Sequence, residues 1–397
     1  MRLLDRYLLR EFLLPLAYCL AGFFLFWVSF DLFSELDEFQ RQGLRVNEIA
    51  LLYLVRTPEL LVTVLPVALL LGLLYSLTNH ARHHELTAMR AAGVGLWRLC
   101  VPYLAVGLLF SLALFTLNEF CVPDANEAAN QILDRHRAGQ SQDLSPDWRK
   151  NLAFHNERDR RIWNISAYNR VTTEMIGPNV EWPRADGSRR RIVADRAIFT
   201  NSTWTFFEVK EIVYAGVSPT KAPNRGAETN QGSAVVDPMI ERFRNITRSQ
   251  TNQLAVPELT ETPEQINSEI KFSELSNLRA AKRPRLSLRE ILNYQRLHPF
   301  LNAADSAKLE TQFQGRLAEP WTCLVVVLIA IPFGAPSGRR NVFVGVASSI
   351  FIGFTYFIIL RFGLALGTGG YLAPWLAAWA PNIFFALTGA VLAHRVR

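Results

Sequence analysis

A histidine-rich run between two apolar segments holds the first residues that could do chemistry. His80, His83 and His84 precede Glu85, and imidazole and carboxylate groups are common metal ligands. The run lacks the His-Glu-x-x-His spacing with which one helix face holds zinc. A solvated helix carries such residues equally well, and we favour that interpretation. We therefore predict no metal site in this chain.

A second set of acid and base residues lies in the middle of the chain, at His155, Glu157, Asp159 and Asp195. They are scattered among arginines without a recognisable arrangement, and this pattern is more typical of a solvated surface than of an active site. The chain also contains no Gly-Lys pair, which excludes the usual phosphate-binding loop of ATPases. We predict a chain without catalytic residues or a cofactor of its own.

Six long apolar segments must position everything else. Each is near the ~20 residues that cross a bilayer core of about 30 Å. They are Phe12–Phe33, Pro58–Leu77, Leu96–Cys121, Leu317–Ala335, Val342–Leu366 and Leu372–Ala393. The sequence thus predicts an α-helical membrane protein with six transmembrane helices.

The basic residues predict its orientation, because loops rich in arginine and lysine stay in the cytoplasm. With six crossings, all four clusters fall on one side, which also holds both termini. The clusters are Arg2, Arg6 and Arg10; Arg82, Arg90 and Arg98; Arg339 and Arg340; Arg395 and Arg397. We expect a multi-pass inner-membrane protein, and its net charge of +7 requires no nucleic acid partner.

The long segment between spans three and four is strand-like, which predicts three parts: residues 1–122, an insert at 123–316, and 317–397. In the insert, Asp186-Gly187 is a strong hairpin turn, and apolar and polar residues alternate through Thr203–Tyr214. Helical patterns at Asp124–Arg137 and Ser287–Leu297 flank the strands. We expect an all-β sandwich or jelly roll on the outer, periplasmic side.

The energy for any transport must come from outside this chain. Gradient-driven carriers bury ionisable residues near mid-membrane, whereas Asp31, Glu59, Glu119 and Arg361 all lie close to span ends. This favours a separate ATPase partner.

Residues 80–93 are predicted to form a short amphipathic helix between spans two and three. Such a helix suits insertion into a groove on an ATPase, to which Glu85 could offer its carboxylate. The alternative is a helix in the lipid headgroup region, which Arg82 and Arg90 would also favour.

Several stretches, in order, resemble the LptF/LptG (YjgP/YjgQ) permeases of the lipopolysaccharide exporter. The most specific is His84–Gly93, which is similar to the coupling-helix motif of that family. The others are Leu4–Leu8, Pro66 with Leu69–Leu74, Asn118–Asn126, Pro332–Gly334 and Trp379–Asn382. The resemblance covers essentially the whole chain.

The resemblance implies one permease subunit of an ABC transporter. Two paralogous permeases form a heterodimer on a cytoplasmic ATPase dimer, which binds ATP and magnesium. Lipopolysaccharide enters laterally between spans one and five, then passes through the jelly roll to periplasmic transfer proteins and toward the outer membrane. ATPase coupling falls to Glu85, Leu86, Met89, Arg90 and Gly93.

Two helix faces are the candidate substrate cavity and lateral gate. Trp27, Phe30 and Asp31 share a face of span one, and Ile350, Phe354, Phe357 and Arg361 share a face of span five. Ordinary helix packing or lipid exposure would produce the same aromatic faces. Asp31 and Arg361 could pair as a latch, although we favour each reaching the interface separately.

The outer end of span one departs from the family. Some members carry basic residues there, whereas this chain has acidic ones, with Arg41 and Arg45 only further on. The acidic residues are Asp31, Glu35, Asp37 and Glu38. Acidic groups repel lipid phosphates unless cations bridge them, so the head group is left open. A second function class is a non-transporting membrane-anchored scaffold of an envelope complex, which would need no ATPase contact.

Overall fold

The computed structural model describes residues 3–140, 148–156, 158–184, 188–214, 246–276, 286–334 and 342–395. The chain divides into two compact units. The first comprises Met1–Arg137, Arg285–Ile291 and Asn302–Arg397, and the second comprises Ala138–Pro284 and Leu292–Leu301.

The first unit is helical. Six helical stretches are long and apolar enough to cross a membrane, which confirms the predicted number. Among the described residues of both units, the α-helices are α1 (Leu3–Gln42), α2 (Val46–Arg82), α3 (Glu85–Ala91), α4 (Leu96–Thr116), α5 (Val122–Gln140), α6 (Pro263–Ser276), α7 (Leu288–Leu297), α8 (Ala303–Ala318), α9 (Thr322–Gly334), α10 (Val342–Thr368) and α11 (Pro374–Arg395).

Helix α9 lies at the centre of this unit, where it contacts α2, α4, α10 and α11. Its side chains are apolar on every face, and Val326, Val327 and Ala330 are fully buried. Helices α1 and α2 form an antiparallel pair that packs closely at Gly72, where an added Cβ would lie 2.9 Å from the Cα of Leu16. Small residues permit such close approach between membrane helices.

Two of the apolar stretches contain an irregular turn. A wider π turn at Leu117–Cys121 joins α4 to α5, and a tighter 3₁₀ turn at Glu319–Trp321 joins α8 to α9. Pro320 in the second turn has no N–H to donate, so an uninterrupted α-helix loses a hydrogen bond there. The fourth apolar stretch therefore begins at Ala303, fourteen residues before the predicted Leu317.

The predicted helix through residues 81–92 is broken in the structure. Helix α2 continues to Arg82, His83 ends it, and His84 adopts a left-handed backbone with φ 59° before α3 begins at Glu85. The break makes α3 a separate helix.

The second unit contains an antiparallel sheet, as the sequence predicts. Its strands are β1 (Trp148–Asn156), β2 (Arg161–Asn169), β3 (Glu174–Pro183), β4 (Arg189–Val193), β5 (Arg196–Thr200), β6 (Thr203–Tyr214) and β7 (Ile246–Val256). The strands are connected as a meander in which β4 and β5 lie end to end between β3 and β6. The jelly-roll arrangement and the boundaries of the three predicted parts stay predictions. The Asp186-Gly187 turn lies outside the described residues, although β3 and β4 pair on either side of it.

Irregular backbone positions lie along one line that crosses the neighbouring strands of the sheet. Gly177 in β3 has φ +59°, and its N–H donates to the carbonyl oxygen of Asp195 between β4 and β5 at 2.9 Å. The N–H of Asp195 donates in turn to the carbonyl oxygen of Phe207, which precedes the positive-φ residue Glu208 of β6. Backbone hydrogen bonds thus connect the irregular positions of β3 and β6 through the junction of β4 and β5.

Large aromatic residues on one face of the sheet form that core. Trp163, Trp204 and Phe206 are fully buried, and Ile266 and Ile270 of α6 pack in the same cluster. The alternation of β6 shifts after Phe206, and the next buried residue is Val209, on the far side of the positive-φ residue Glu208. Ile162 of β2, beside the buried Trp163, is 44 % exposed on the other face.

Candidate functional site

Helix α3 is attached to the rest of the helical unit by both polar and apolar contacts. Leu86 is buried in the large apolar cluster of the unit, and Met89 packs against it. Oε2 of Glu85 accepts a hydrogen bond from the hydroxyl of Tyr7 in α1 at 2.9 Å. The same oxygen lies 2.7 Å from Nδ1 of His80 in α2. One carboxylate oxygen thus joins three helices.

The charge of Glu85 is stabilised by these neighbours. Burial raises the pKa of the Glu85 carboxyl, but hydrogen bonds from His80 and Tyr7 and the charges of His80 and His83 lower it. The net effect holds the pKa below its ordinary value. An ionised carboxylate only accepts hydrogen bonds, so Nδ1 of His80 carries the hydrogen in this contact.

The opposite side of α3 is open. Thr87, Ala88 and Ala91 are exposed, and the exposed imidazoles of His83 and His84 lie before them. These three small side chains form a flat face on which another chain can approach the helix closely. Of the predicted coupling residues, Gly93 is exposed and Arg90 is half-buried, whereas Leu86 and Glu85 point toward the chain itself. Their role in coupling stays a prediction.

A second polar cluster connects α1 and α2. Oδ2 of the buried Asp31 accepts a hydrogen bond from the hydroxyl of Tyr53 at 3.2 Å. Nη1 of Arg56 lies 3.0 Å from Glu35 and 3.9 Å from Asp31. Arg56 therefore offsets part of the acidic charge that the sequence places at this end of α1.

A third polar cluster connects the two irregular turns. Nη1 of the buried Arg316 donates to the carbonyl oxygen of Asn118 at 2.8 Å, and Nδ2 of Asn118 donates to Glu319 at 3.1 Å. Nη2 of Arg361, in α10, lies 3.8 Å from Oε1 of Glu319. The structure therefore gives Asp31 and Arg361 different partners and does not support the hypothetical latch between them.

The other predicted gate residues are divided between two apolar clusters. Trp27 packs with Phe39, Tyr53 and other residues of α1 and α2. Ile350 and Phe357 pack against the large cluster around α9. Phe30 is 62 % exposed and Phe354 is 59 % exposed. Of the predicted apolar gate residues, Phe30 and Phe354 are thus exposed, and the others pack within the helical unit.

The residues that were candidates for an active site or a metal site are dispersed. Asp159 pairs with Arg161 at 3.1 Å, His155 is exposed on β1, and Glu157 lies outside the described residues. Within the part of the chain that the structure describes, no group of three or more His, Cys, Asp or Glu side chains could hold a metal ion.

Sequence reasoning missed Tyr7, Arg56 and Arg316 as polar contacts of the helical unit. Each lies beside the start of an apolar segment, where a polar residue ordinarily faces water. The sequence did indicate polar contacts for Arg56 and Arg316, because a charged residue directly before a span must find either water or a buried partner.

The chain was compared with known proteins. A sequence model of the family described as lipopolysaccharide export system permease LptF/LptG matches residues 6–395. A search of curated proteins found no match. Together, the family and the six apolar helices point to an integral inner-membrane protein. Since the match covers essentially all of the 397 residues, the chain belongs to the LptF/LptG family of lipopolysaccharide export permeases.

Proposed function

We propose that this chain is the permease subunit of an ATP-driven exporter. It extracts a lipid A-type glycolipid, lipopolysaccharide, from the inner membrane and passes it through its strand-rich unit toward the outer membrane. ATP and magnesium bind to a separate cytoplasmic ATPase, and this chain performs no chemistry.

Helix α3 is the observation that carries this proposal. Its inner side is attached to α1 and α2 through Glu85, and its outer side exposes Thr87, Ala88 and Ala91. A helix that only lies among lipid headgroups would direct an apolar side outward, whereas Leu86 is buried inward. A small, attached and exposed helix fits a groove on a partner protein.

The number of crossings supports a topology for this proposal. With six spans, both termini would lie on the same side of the membrane, and the basic residues between spans two and three favour the cytoplasm as that side. Helix α3 would then be cytoplasmic, within reach of an ATPase. The strand-rich unit would be periplasmic, within reach of lipopolysaccharide-transfer proteins, and its sheet is the proposed jelly roll.

The open aromatic residues support a path for acyl chains. Phe30 of α1 and Phe354 of α10 are exposed on helices that the family uses as its lateral gate. A second, paralogous permease would face these helices in a heterodimer and close the cavity. Arg361, whose side chain is 61 % exposed, is a basic group of the described clusters that a lipid phosphate could approach.

Co-purification in mild detergent tests the function. The wild-type chain and Thr87→Trp are isolated from their native membrane, and mass spectrometry identifies co-purifying ATPase and bound lipid. We expect the wild type to retain both. Thr87→Trp adds bulk on the open face of α3, so the ATPase should be lost while the glycolipid is retained.

A matched substitution of an exposed threonine in the other unit, Thr172→Trp, controls for the added indole and should leave both partners bound. Absence of any ATPase from the wild-type preparation, with envelope proteins present instead, would reject the exporter and favour the membrane-anchored scaffold.

A further inference from the structure

We propose that Glu85 acts as a positioning residue whose hydrogen bond from Tyr7 transmits movement of α3 directly to α1. This inference rests on the proposed function, because it assumes that a partner ATPase moves α3. It differs from a role in which Glu85 serves only as a contact for the ATPase.

The geometry of the carboxylate carries the first step. Both hydrogen bonds of Glu85 use Oε2, and both lead into the chain, one to α1 and one to α2. The rings of Tyr7 and His80 also lie 5.7 Å apart, so the two donors pack against each other. A force on α3 therefore reaches α1 and α2 through a shared polar contact, in addition to the apolar packing of Leu86.

The covalent path from α2 to α3 is poorly suited to transmit this force. His84 holds a left-handed backbone between the two helices, and this break interrupts the helical hydrogen bonds. A joint of this kind lets α3 pivot relative to α2. The side-chain contacts of Glu85 then determine which helices follow the pivot.

Helix α1 is built to carry movement over a long distance. It continues from Leu3 to Gln42, and Tyr7 lies 24 residues before Asp31 on the same helix. At 1.5 Å for each residue, the two positions are about 36 Å apart along the axis. Asp31 in turn accepts a hydrogen bond from Tyr53 of α2. A shift of α1 against α2 therefore alters this contact as well as the contact of Tyr7.

A second contact near the same end of α1 supports a common movement. Asp5 pairs with Arg98 at the start of α4 at 3.0 Å. Tyr7 thus links the first turns of α1 to α3, and Asp5 links them to α4, which follows α3 in the chain. Movement of α3 can therefore reach α1 through both contacts.

The test uses the complete exporter in lipid vesicles, with Tyr7→Phe against the wild type. The substitution removes one hydroxyl and keeps the ring that packs against His80. Tyr18→Phe is the matched control, because it removes the same hydroxyl from an exposed tyrosine of the same helix. Three quantities are measured: bound ATPase, lipid extracted for each ATP hydrolysed, and the alkylation rate of Phe30→Cys with and without nucleotide.

We expect Tyr7→Phe to bind ATPase normally but to extract about tenfold less lipid for each ATP, because a hydrogen bond to a charged group shifts an equilibrium by at least about that factor. The nucleotide-dependent change in Phe30→Cys alkylation should disappear, and Tyr18→Phe should match the wild type. Unchanged lipid yield and alkylation in Tyr7→Phe would overturn the inference. Loss of ATPase binding in Tyr7→Phe would also overturn it, by assigning the hydroxyl to docking. Failure of the wild type itself to bind ATPase would reject the proposed function instead.

Discussion

Arg316 donates from Nη1 to the carbonyl oxygen of Asn118 at 2.8 Å, across 198 positions of sequence. Asn118 belongs to the π turn that joins α4 to α5, where the ladder of α-helical hydrogen bonds is interrupted. The buried guanidinium satisfies a carbonyl oxygen at this interruption. The two irregular turns of the helical unit are therefore stabilised by one another.

Arg316→Met should destabilise the helical unit by about 2 kcal/mol, the usual cost of losing a hydrogen bond to a charged group. The melting temperature of each variant is measured by thermal unfolding in detergent. Arg361→Met is the control, because the side chain of Arg361 is 61 % exposed and its contact with Glu319 is long, at 3.8 Å. Equal melting temperatures for the two variants would contradict the role of Arg316.

Gly72→Ala should loosen the α1–α2 pair. The added methyl group would lie 2.9 Å from the Cα of Leu16, and backbone at that distance can only yield by moving the helix. Overpacking of this kind costs about 2 kcal/mol. Gly22→Ala on α1 meets nothing within 4 Å and should be neutral. Unfolding in detergent distinguishes the two variants, and a Gly72→Ala protein as stable as Gly22→Ala would show that the helices are not in close contact.

Arg161→Met should destabilise the strand-rich unit by about 3 kcal/mol, because it leaves a buried carboxylate without its partner. Arg161 lies 2.9 Å from the buried Glu261 and donates to the carbonyl oxygen of Glu258. Arg189→Met is the control, since the side chain of Arg189 is 70 % exposed beside Glu181. Pulse proteolysis of the full chain, with cleavage sites mapped within residues 148–276, reports on this unit. Equal protection of both variants would argue against the ion pair.

Attachment of α3 should not weaken between neutral pH and about pH 5. The pKa of Glu85 in the folded protein lies below its ordinary value. At any pH above that ordinary pKa, the carboxylate is charged and stabilises the attachment of α3. This contribution is lost only when the pH falls below the ordinary pKa and through the lowered one. Hydrogen exchange of the α3 amides across this range measures attachment, with Glu85→Gln as the variant without the charge. A loss of protection within the range would contradict the assignment.

Local patterns predicted much of the fold. The bounds of β6, Thr203–Tyr214, agree with the predicted strand because its apolar alternation depends on neighbouring residues alone. Helix α7 begins after Ser287, as predicted, because Ser287 and Glu290 each accept a hydrogen bond from the backbone of the other. Such caps are complete within four residues.

Distant contacts account for what the sequence did not predict. Residues 81–92 are good helix formers, yet the helix breaks at His84, and the carboxylate of Glu85 contacts a tyrosine 78 positions away. Asp31 and Arg361 have suitable charges, but Tyr53 and Glu319 are nearer to them in space. Propensity and hydropathy carry no information about which of several possible partners a polar side chain contacts.

The connectivity of the sheet has a consequence for biosynthesis. Each described strand pairs only with strands at most two places from it along the chain, and such pairings close short loops at low entropic cost. In the proposed topology, β1 to β6 can therefore assemble progressively as the polypeptide is translocated, before α8 to α11 have been synthesised. We expect an intermediate with three inserted helices and a partly formed sheet, whose open edge at β6 awaits β7. Such an open edge would expose this intermediate to aggregation and proteolysis until β7 pairs with β6.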